Sequence, residues 1–491
     1  MGANGHELDF EKADCSFLLQ VSFQSESRDR QGPLKIPSYL GPGSVVVAQA
    51  LTVVSFGFIA CVIALLILRG PKGHRPRSPA RMTGVPLHIV VLMGLTMSLD
   101  FICSDQYQPS MPDIALELGV SEEKMASSIQ AHQLSLALAM FVAGHAAELG
   151  RRPVIIVCQL LFTVSAFACA CAPSWGWFLA GRVLQGFAAS ASVAVSGVLR
   201  DSYGSRIKMA RAATLISSIA LIGHIAGPAA GGYLSRSNGW RFAFLMIAGM
   251  SLVLNLANYV LLEETLAPEI PGGPVELRPI WAPGTLSWRQ RFVLIGLSLL
   301  RGTAYVIACV NGFIFKDVYH LSLMKSSFLM SLLVAAGAFG MAASTTLEFS
   351  SAETLRLFSP MLLLSAIYSA TVGRLLIRDN PLTYMTPLAL HQFLAHGPTW
   401  AVMAEAHQEN ELDDAGGLPP HIYAAGMNIF ASLFSLAALT TLHSPSSVLY
   451  LLAIMCALSQ VFIRAGNLWG EARKLGRQDS ETASPIVATS S

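Results

Sequence analysis

Charged side chains are scarce in this sequence. Only 13% of the 491 residues are Asp, Glu, Lys or Arg, whereas 53% are hydrophobic and the mean hydropathy is +0.53. Soluble domains average about 25% charged residues, so the composition excludes an ordinary soluble enzyme and indicates a membrane protein. The net charge is only +2, which offers no electrostatic basis for a nucleic-acid partner.

Several chemical motifs are missing as well. The eight cysteines lie mostly inside apolar stretches without a C-x-x-C pair, and the weak Cys169-x-Cys171 pattern indicates neither a disulfide framework nor a metal site. No P-loop is present, so ATP-driven transport is not supported. No His/Asp/Glu cluster has the spacing of metal ligands or of a catalytic site. We therefore expect no metal, no cofactor and no enzymatic activity.

Long apolar stretches are abundant. A transmembrane helix needs about 20 apolar residues. Thirteen segments meet this requirement: 44–68, 87–107, 124–146, 153–172, 176–199, 212–234, 241–262, 292–315, 326–347, 356–377, 383–404, 421–442 and 447–466. The second to seventh and the eighth to thirteenth form two sets of six, and a polar Pro/Gly-rich segment separates the sets. We predict an all-α membrane protein with two six-helix halves and one extra N-terminal helix.

This pattern divides the chain into seven parts. They are a polar N-terminal segment (1–43), the extra helix (44–68), a basic cytoplasmic linker (69–86), an N-terminal half (87–262), a central cytoplasmic linker (263–291), a C-terminal half (292–466) and a polar cytoplasmic tail (467–491). The extra helix is too long and starts too late for a typical signal peptide. A removable targeting segment and an error in the gene sequence are the alternatives to a retained span.

The distribution of Lys and Arg predicts the orientation. Basic residues gather in 69–86, at Arg151 and Arg152, and between 200 and 211, and loops rich in Lys and Arg face the cytoplasm. Loop 108–123 carries four acids and no base, so it should face outward. In the second half the charge bias is weaker, and the orientation there depends on the alternation of the spans.

An arginine lies within the fourth predicted helix of the twelve-helix core. Arg182-x-x-Gln185-Gly186 is embedded in an apolar stretch. An arginine at the centre of a membrane helix costs at least about 2.5 kcal/mol, so Arg182 should face the protein interior beside a partner. The alternative is an arginine near a helix end that extends to the membrane surface.

Two carboxylates lie in the first core helix. We predict that Asp105 lies about one turn before proline stops the helix, and that Asp100 lies deeper. A carboxylate in a low-dielectric site can hold and release a proton as its access to water alternates. Asp105, Asp100 and Arg182 are therefore our candidates for proton coupling. The alternatives are a solvated residue at a helix end for Asp105 and a satisfied interior polar group for Asp100.

The fifth core helix combines four glycines with a proline: Gly223, Gly227, Pro228, Gly231 and Gly232. Glycine costs about 1 kcal/mol and proline about 3 kcal/mol in a helix interior, so a close contact with another helix should offset them. We predict a bent helix whose glycine face seals the two halves against each other.

These motifs carry a resemblance to a known family. The pattern G-x-x-x-G-P-x-x-G-G resembles the helix-five motif of drug:proton antiporters in the major facilitator superfamily, and R-x-x-Q-G is similar to their helix-four motif. The pattern S-D-x-Y-x-P-x-x-P of Ser104–Pro112 resembles the bicyclomycin/chloramphenicol-resistance type, and the likeness covers roughly residues 87–320. The resemblance implies two rocking halves around a midplane site and a part for Arg182 in proton transfer.

One loop departs from the family pattern G-x-x-x-D-R-x-G-R-R. This chain has Gly144, Glu148, Gly150, Arg151 and Arg152, with one residue fewer, Glu for Asp, and no intermediate Arg. In the family, these charges stabilise the outward-open state. We expect Glu148 to replace the missing acid in part, and coupling to be altered or lost if it does not.

Four residues are candidates for the substrate cavity: Tyr107, Gln185, Arg301 and Asn311. Arg301 needs a partner inside the membrane, and Asp100 would suit it. The residues His391, His396 and Asn428 are polar groups of the second half that are more often packing groups than ligand contacts.

The leading hypothesis is a multi-pass membrane transporter, a proton-coupled antiporter that exports small drug-like or hydrophobic compounds. Its partners would be the substrate, protons and the lipid bilayer, and we expect a monomer. A metabolite carrier of the same superfamily is a close variant, and a non-transporting sensor or scaffold is an alternative from another class. The sequence does not distinguish the plasma membrane from an organelle membrane.

Overall fold

The described part of the chain folds into fourteen α-helices. The structure is a computed structural model that describes residues 85–266, 288–346, 351–375, 380–412, 420–439 and 444–482. The helices are α1 (Leu87–Gln106), α2 (Met111–Leu118), α3 (Glu122–Glu148), α4 (Arg151–Ala170), α5 (Trp175–Ala188), α6 (Ala191–Ser202), α7 (Arg206–Asn238), α8 (Trp240–Leu261), α9 (Trp288–Phe313), α10 (Leu323–Thr346), α11 (Ser351–Leu375), α12 (Pro381–Leu412), α13 (Pro420–Leu439) and α14 (Pro445–Thr482).

Many of these helices suit a bilayer. Within the described residues, eight helical stretches are long and apolar enough to span a membrane, and two shorter apolar helical segments lie at Pro360–Val372 and Ala424–Ala437. The predicted all-α membrane fold is thus confirmed. The predicted extra helix 44–68 and most of the predicted linker 263–291 lie outside the described residues.

The first span continues beyond its prolines. A 3₁₀ turn (Gln108–Ser110) and α2 extend it to Leu118, where Gly119 ends the helix with a φ of +64°. Each proline occupies the first turn of its element, where no intrahelical N–H is needed. Asp105 therefore lies deep within a 32-residue span and not at a helix end, and much of the predicted loop 108–123 is helical.

The fourth span is interrupted in its middle. One helix was expected over 176–199, but α5 ends at Ala188 and α6 begins at Ala191. The residues around this break, including Ala189 and Ser192, line the central cavity described below. The break thus places irregular backbone beside a cavity, where non-helical backbone at membrane depth is tolerated.

Helices α1–α8 and α9–α14 form two sets that meet along two helix pairs. Within the first set α7 packs along α1 and α8 along α4, and within the second α14 packs along α9 and α12 along α10. Between the sets α13 packs along α3, and α10 along α7. We call these sets the first and second halves.

The halves are joined near one end of the bundle, which we call the Asp113 end; the opposite end is the Arg151 end. Lys316 Nζ contacts Asp113 Oδ1 at 2.6 Å across the halves. The backbone N–H of Ala229 donates to Ser331 Oγ at 3.1 Å, and Gly312 lies directly against the Gln108 carbonyl. The Asp113 end is therefore closed by direct contacts between the halves.

Replacing Lys316 by Gln should loosen this closure modestly. Exposed ion pairs contribute up to about 1 kcal/mol, so the population with a separated Asp113 end should rise by up to about fivefold. Nitroxide labels attached at the exposed positions Leu116 and His320 would report the change as a longer distance in electron paramagnetic resonance. An unchanged distance distribution would show that packing, not this ion pair, closes the end.

The glycine face of α7 mostly packs within its own half, which corrects the predicted seal between halves. A Cβ on Gly223 would meet Ser98 Cβ at 2.9 Å, and one on Gly227 would meet Asp105 Cβ at 3.1 Å, both on α1. Gly231 likewise lies against the Gln106 backbone, and only Gly232 faces the second half, against Ser327 of α10. The motif therefore holds α7 to α1 and brings α7 alongside Asp105.

Candidate functional site

A cavity of about 300 Å³ lies between the two halves. Its lining extends from Gln108 toward the Arg151 end, where it includes Met97, Ser217 and Met341. Most of the wall is apolar, but Asp100, Asp105, His224, Arg301 and Asn311 also line it. Clefts of this size with a few polar groups are typical of small-molecule sites.

Asp105 pairs with a histidine from the glycine-rich helix. His224 Nδ1 and Asp105 Oδ2 are in direct contact, and Gln108 Nε2 donates to Asp105 Oδ1 at 2.8 Å. Asp105 is buried, and Pro228 lacks the N–H that would otherwise bond to the carbonyl of His224 four residues earlier. The cavity therefore holds a carboxylate–imidazole pair at the point where a helix hydrogen bond is missing.

Asp100 pairs with a second histidine. A hydrogen bond joins His132 Nε2 of α3 to Asp100 Oδ1 at 3.0 Å, and Ser104 Oγ lies 3.4 Å from the same nitrogen. His132 is completely buried, and its Nδ1 atom has no hydrogen-bond partner. Asp100 does not pair with Arg301, so the partner expected for that arginine is taken by His132.

Arg182 is fully buried beside these groups. Its guanidinium carbon lies 4.6 Å from the centre of the Tyr107 ring, and Nη1 donates to Gln185 Oε1 and to Cys103 Sγ. Gly186 packs directly on the His132 carbonyl, which brings the R-x-x-Q-G motif against α3. This burial excludes the alternative of a side chain that extends to the membrane surface.

Two predicted cavity residues do not line the cavity. Tyr107 packs against Phe178 and Phe244, and its hydroxyl contacts Ser128 Oγ at 3.0 Å. Gln185 is turned toward Arg182. Both side chains are buried in the helix packing because the arginine charge attracts the amide oxygen and the face of the aromatic ring.

The other two predicted cavity residues, Arg301 and Asn311, do line it. Arg301 Nε donates to Tyr305 Oη at 3.3 Å, and Asn311 Oδ1 accepts from Tyr384 Oη at 2.8 Å. Among the remaining polar candidates, His391 bonds to Thr303 away from the cavity, whereas His396 and Asn428 line it.

The shortened loop at the Arg151 end is completed by a distant acid. Glu264, just after α8, accepts from the backbone N–H groups of Arg151 and Arg152 at 3.0 and 3.1 Å. Gly150, with φ of +155°, leaves room for this carboxylate, because a Cβ there would lie 3.0 Å from Glu264 Oε2. Glu148 is exposed and does not make this contact, so Glu264 and not Glu148 occupies the N-terminus of α4.

Replacing Glu264 by Gln should weaken this end of the first half. A carboxylate at a helix N-terminus contributes up to about 1 kcal/mol when exposed, so the melting temperature of the detergent-solubilised protein should fall slightly. Glu148→Gln is the matched control and should leave it unchanged. Equal effects of the two substitutions would contradict the assignment of Glu264 as the cap.

Sequence reasoning missed His132, His224 and Glu264. His224 lies inside the quoted glycine motif, and its place beside a close-packing face was a usable signal. His132 lies close to Gln130 and Gln133, and this group of polar residues within a predicted membrane helix also marks a polar interior face. Glu264 belongs to the part of the sequence that resembles the family, but its contact with Arg151 could not be predicted, because the two residues are 113 positions apart in the sequence.

Fold and cavity define a polytopic membrane protein with the architecture of a solute transporter. The sequence profile of the Major Facilitator Superfamily matches residues 87–438, so the chain belongs to this family of membrane transporters. The family expected from the motifs is thereby confirmed.

Several named relatives are similar to this chain. The uncharacterized MFS-type transporter YdgK of Bacillus subtilis is 28% identical over 274 residues, which cover 53% of this chain and 64% of YdgK. The multidrug resistance protein MdtL of Klebsiella pneumoniae is 32% identical over 163 residues, which cover 33% of this chain and 41% of MdtL. The chain thus spans less than two thirds of the length of these relatives.

A solved structure supports the fold. A bacterial homolog of the human lysosomal transporter Spinster, in an inward-facing and occupied conformation, superposes with a TM-score of 0.55 at 14% identity. The superposition covers 77% of this chain and 94% of that one. At this identity the likeness concerns the fold alone.

Proposed function

We propose that this protein is a proton-coupled antiporter that exports small, largely hydrophobic compounds by alternating access. The single observation that carries the proposal is the pair formed by the buried Asp105 and the half-buried His224 on the wall of the cavity between the two halves. A carboxylate in such a site can exchange a proton for cargo, provided that the cavity opens to one side of the membrane at a time.

The proposed cycle uses the two ends of the bundle differently. With the Asp113 end closed, the cavity takes up cargo from the Arg151 end, which the distribution of Lys and Arg orients toward the cytoplasm. At this stage Asp105 releases its proton toward the Arg151 end when cargo binds in the cavity. Separation of the Asp113 end then releases cargo outward and allows Asp105 to take up a proton.

Three observations support transport over the sensor or scaffold alternative. The Arg151 loop, which departs from the family pattern, still has a carboxylate at its helix N-terminus, supplied by Glu264. The cavity, with a volume of about 300 Å³, is large enough to hold a ligand, and residues of both halves line it. The relatives named as multidrug resistance proteins point toward export of varied compounds.

The test is transport in liposomes that contain the purified full-length chain and a trapped pH-sensitive dye. A panel of uncharged, cationic and anionic aromatic compounds is offered with and without an imposed pH gradient. At least one compound should accumulate only with the gradient, and its movement should carry protons in the opposite direction. Binding without gradient-dependent flux of any compound would favour the sensor alternative.

A further inference from the structure

Arg301 lines the cavity and has no carboxylate partner among the residues that the structure describes. Among the described residues, the ion pairs involve other side chains, and Asp100 and Asp105 each contact a histidine. Within the described part of the chain, Arg301 Nε donates to the Tyr305 hydroxyl, and the guanidinium carbon lies 5.5 Å from the centre of the Tyr305 ring. An arginine at membrane depth is costly unless its charge is compensated.

The free edge of Arg301 faces the cavity. Its Nη1 and Nη2 atoms have no partner among the described residues, yet they are absent from the set of polar atoms that are buried and unpaired. The Nε and Nη2 atoms of Arg182, by contrast, do belong to that set. Thus Arg182 is sealed inside the protein, whereas the terminal nitrogens of Arg301 are accessible from the cavity that this residue lines.

A hydrogen-bond network fixes the position of Arg301. The Tyr305 hydroxyl, which accepts from Arg301, lies 3.1 Å from Gln133 Oε1 of α3 and 3.0 Å from Asn428 Oδ1 of α13. Three helices from both halves therefore hold the phenol against the guanidinium. A preorganised guanidinium fork matches the two oxygens of a carboxylate.

The rest of the wall suits an apolar body. Leu99, Phe101, Ile129, Leu333 and Met427 line the same cavity as Arg301. Two carboxylates, Asp100 and Asp105, line the same cavity, but their side chains contact His132 and His224 and form no ion pair with Arg301. Among the described residues, Arg301 is therefore a cation of the cavity wall without an ion-pair partner, and apolar side chains line the same cavity.

We propose that the cargo of this cavity is an amphipathic organic anion, an aromatic or aliphatic carboxylate whose charged group binds Nη1 and Nη2 of Arg301. This inference rests on the proposed function, because it names the cargo class of the same cavity. The guanidinium of Arg301 would bind the two oxygens of the carboxylate, and the apolar side chains of the wall would contact the hydrocarbon part of the cargo.

The experiment measures binding of three naphthalene probes to the purified full-length protein by isothermal titration calorimetry, without a membrane or a pH gradient. The probes are 1-naphthoate, the uncharged naphthalene-1-carboxamide and 1-naphthylmethylammonium. We expect 1-naphthoate to bind at least about tenfold more tightly than the carboxamide. The reason is that a hydrogen bond between two charged groups stabilises a complex more than a hydrogen bond to a neutral group. The ammonium probe should bind most weakly.

Two substitutions of Arg301 separate recognition from folding. Arg301→Gln should remove the preference for the carboxylate, and Arg301→Lys should retain only part of it, because lysine keeps the charge and loses the fork. Lys208→Gln, which removes an exposed cation of α7 outside the cavity, is the control and should bind like the wild type. Gel filtration and thermal unfolding identify a variant that has lost its fold.

Three results would overturn the inference: equal or tighter binding of the carboxamide or the ammonium probe, an unchanged preference in Arg301→Gln, or no binding of any probe. Because no gradient is present, these results do not depend on proton coupling. A protein that prefers the carboxylate but shows no gradient-driven flux would contradict only the proposed antiport. A protein that transports an amine with proton exchange would contradict only the anion inference.

Discussion

Asp105→Asn is expected to abolish gradient-driven accumulation while exchange of cargo across the membrane continues. Asparagine keeps the size of the side chain and can still contact Gln108 and His224, but it cannot bind and release a proton. Asp105 is buried on the cavity wall, so its substitution should affect coupling more than folding. Without a titrating group at this position, the halves can still carry cargo in both directions, and the pH gradient no longer drives net movement.

The measurement compares two assays on the same liposomes. Uptake driven by a pH gradient should fall to the level of protein-free liposomes, and exchange of labelled for unlabelled cargo should remain near that of the wild type. Asp317→Asn, which changes an exposed carboxylate of the π-helical turn Ile314–Val318, is the control. If Asp105→Asn accumulates cargo like the wild type, the proton site lies elsewhere, and Asp100 becomes the next candidate.

Arg182→Met should also abolish gradient-driven uptake, but with little loss of stability. Arg182 is completely buried, and its Nε and Nη2 atoms have no hydrogen-bond partner among the described residues. No carboxylate in the described part of the chain forms an ion pair with it. A buried charge carries a large desolvation cost, so relief of that cost by an apolar side chain of similar length should offset the lost contacts with Gln185 and Tyr107. The charge lies beside the pair of His132 with Asp100, which is on the same helix as Asp105, and its removal should disturb proton binding along the proposed proton path.

Thermal unfolding and uptake measured on the same preparation separate these two effects. Arg182→Met should melt close to the wild-type temperature and show uptake at background level. Arg200→Met, which removes an exposed arginine at the end of α6, should leave both measurements unchanged. A variant that melts far below the wild type would show that Arg182 is mainly a packing residue, and normal uptake would exclude it from the proton path.

Much of the fold was predictable because apolar length alone determines a membrane helix. The prolines near Asp105 show where this reasoning fails. A proline in the first turn of a following helix continues a span as readily as a proline in a helix interior ends it, and the sequence does not distinguish the two cases. The interruption between Ala188 and Ala191 contains no proline or glycine, and the nearby Gly186 lies within α5.

The sequence identified the charged residues of the candidate site but not the residues with which they pair. The cost of a charge in the membrane identified Asp100, Asp105, Arg182 and Arg301, since that cost depends on the residue type. The partners of these residues depend on how helices rotate about their axes. That rotation places His132 beside Asp100 and leaves Arg301 facing open space, and it cannot be derived from the spacing along one helix.

The packing of α7 on α1 has a consequence for the timing of proton exchange. Because Gly223 and Gly227 leave no room for these helices to slide past each other, Asp105 and His224 belong to one rigid body. A rocking motion of the halves then leaves this pair intact and alters only which aqueous compartment reaches it. In the proposed antiport, the side on which Asp105 exchanges its proton would thus follow from which compartment's water reaches it, and no exchange of partners would be needed.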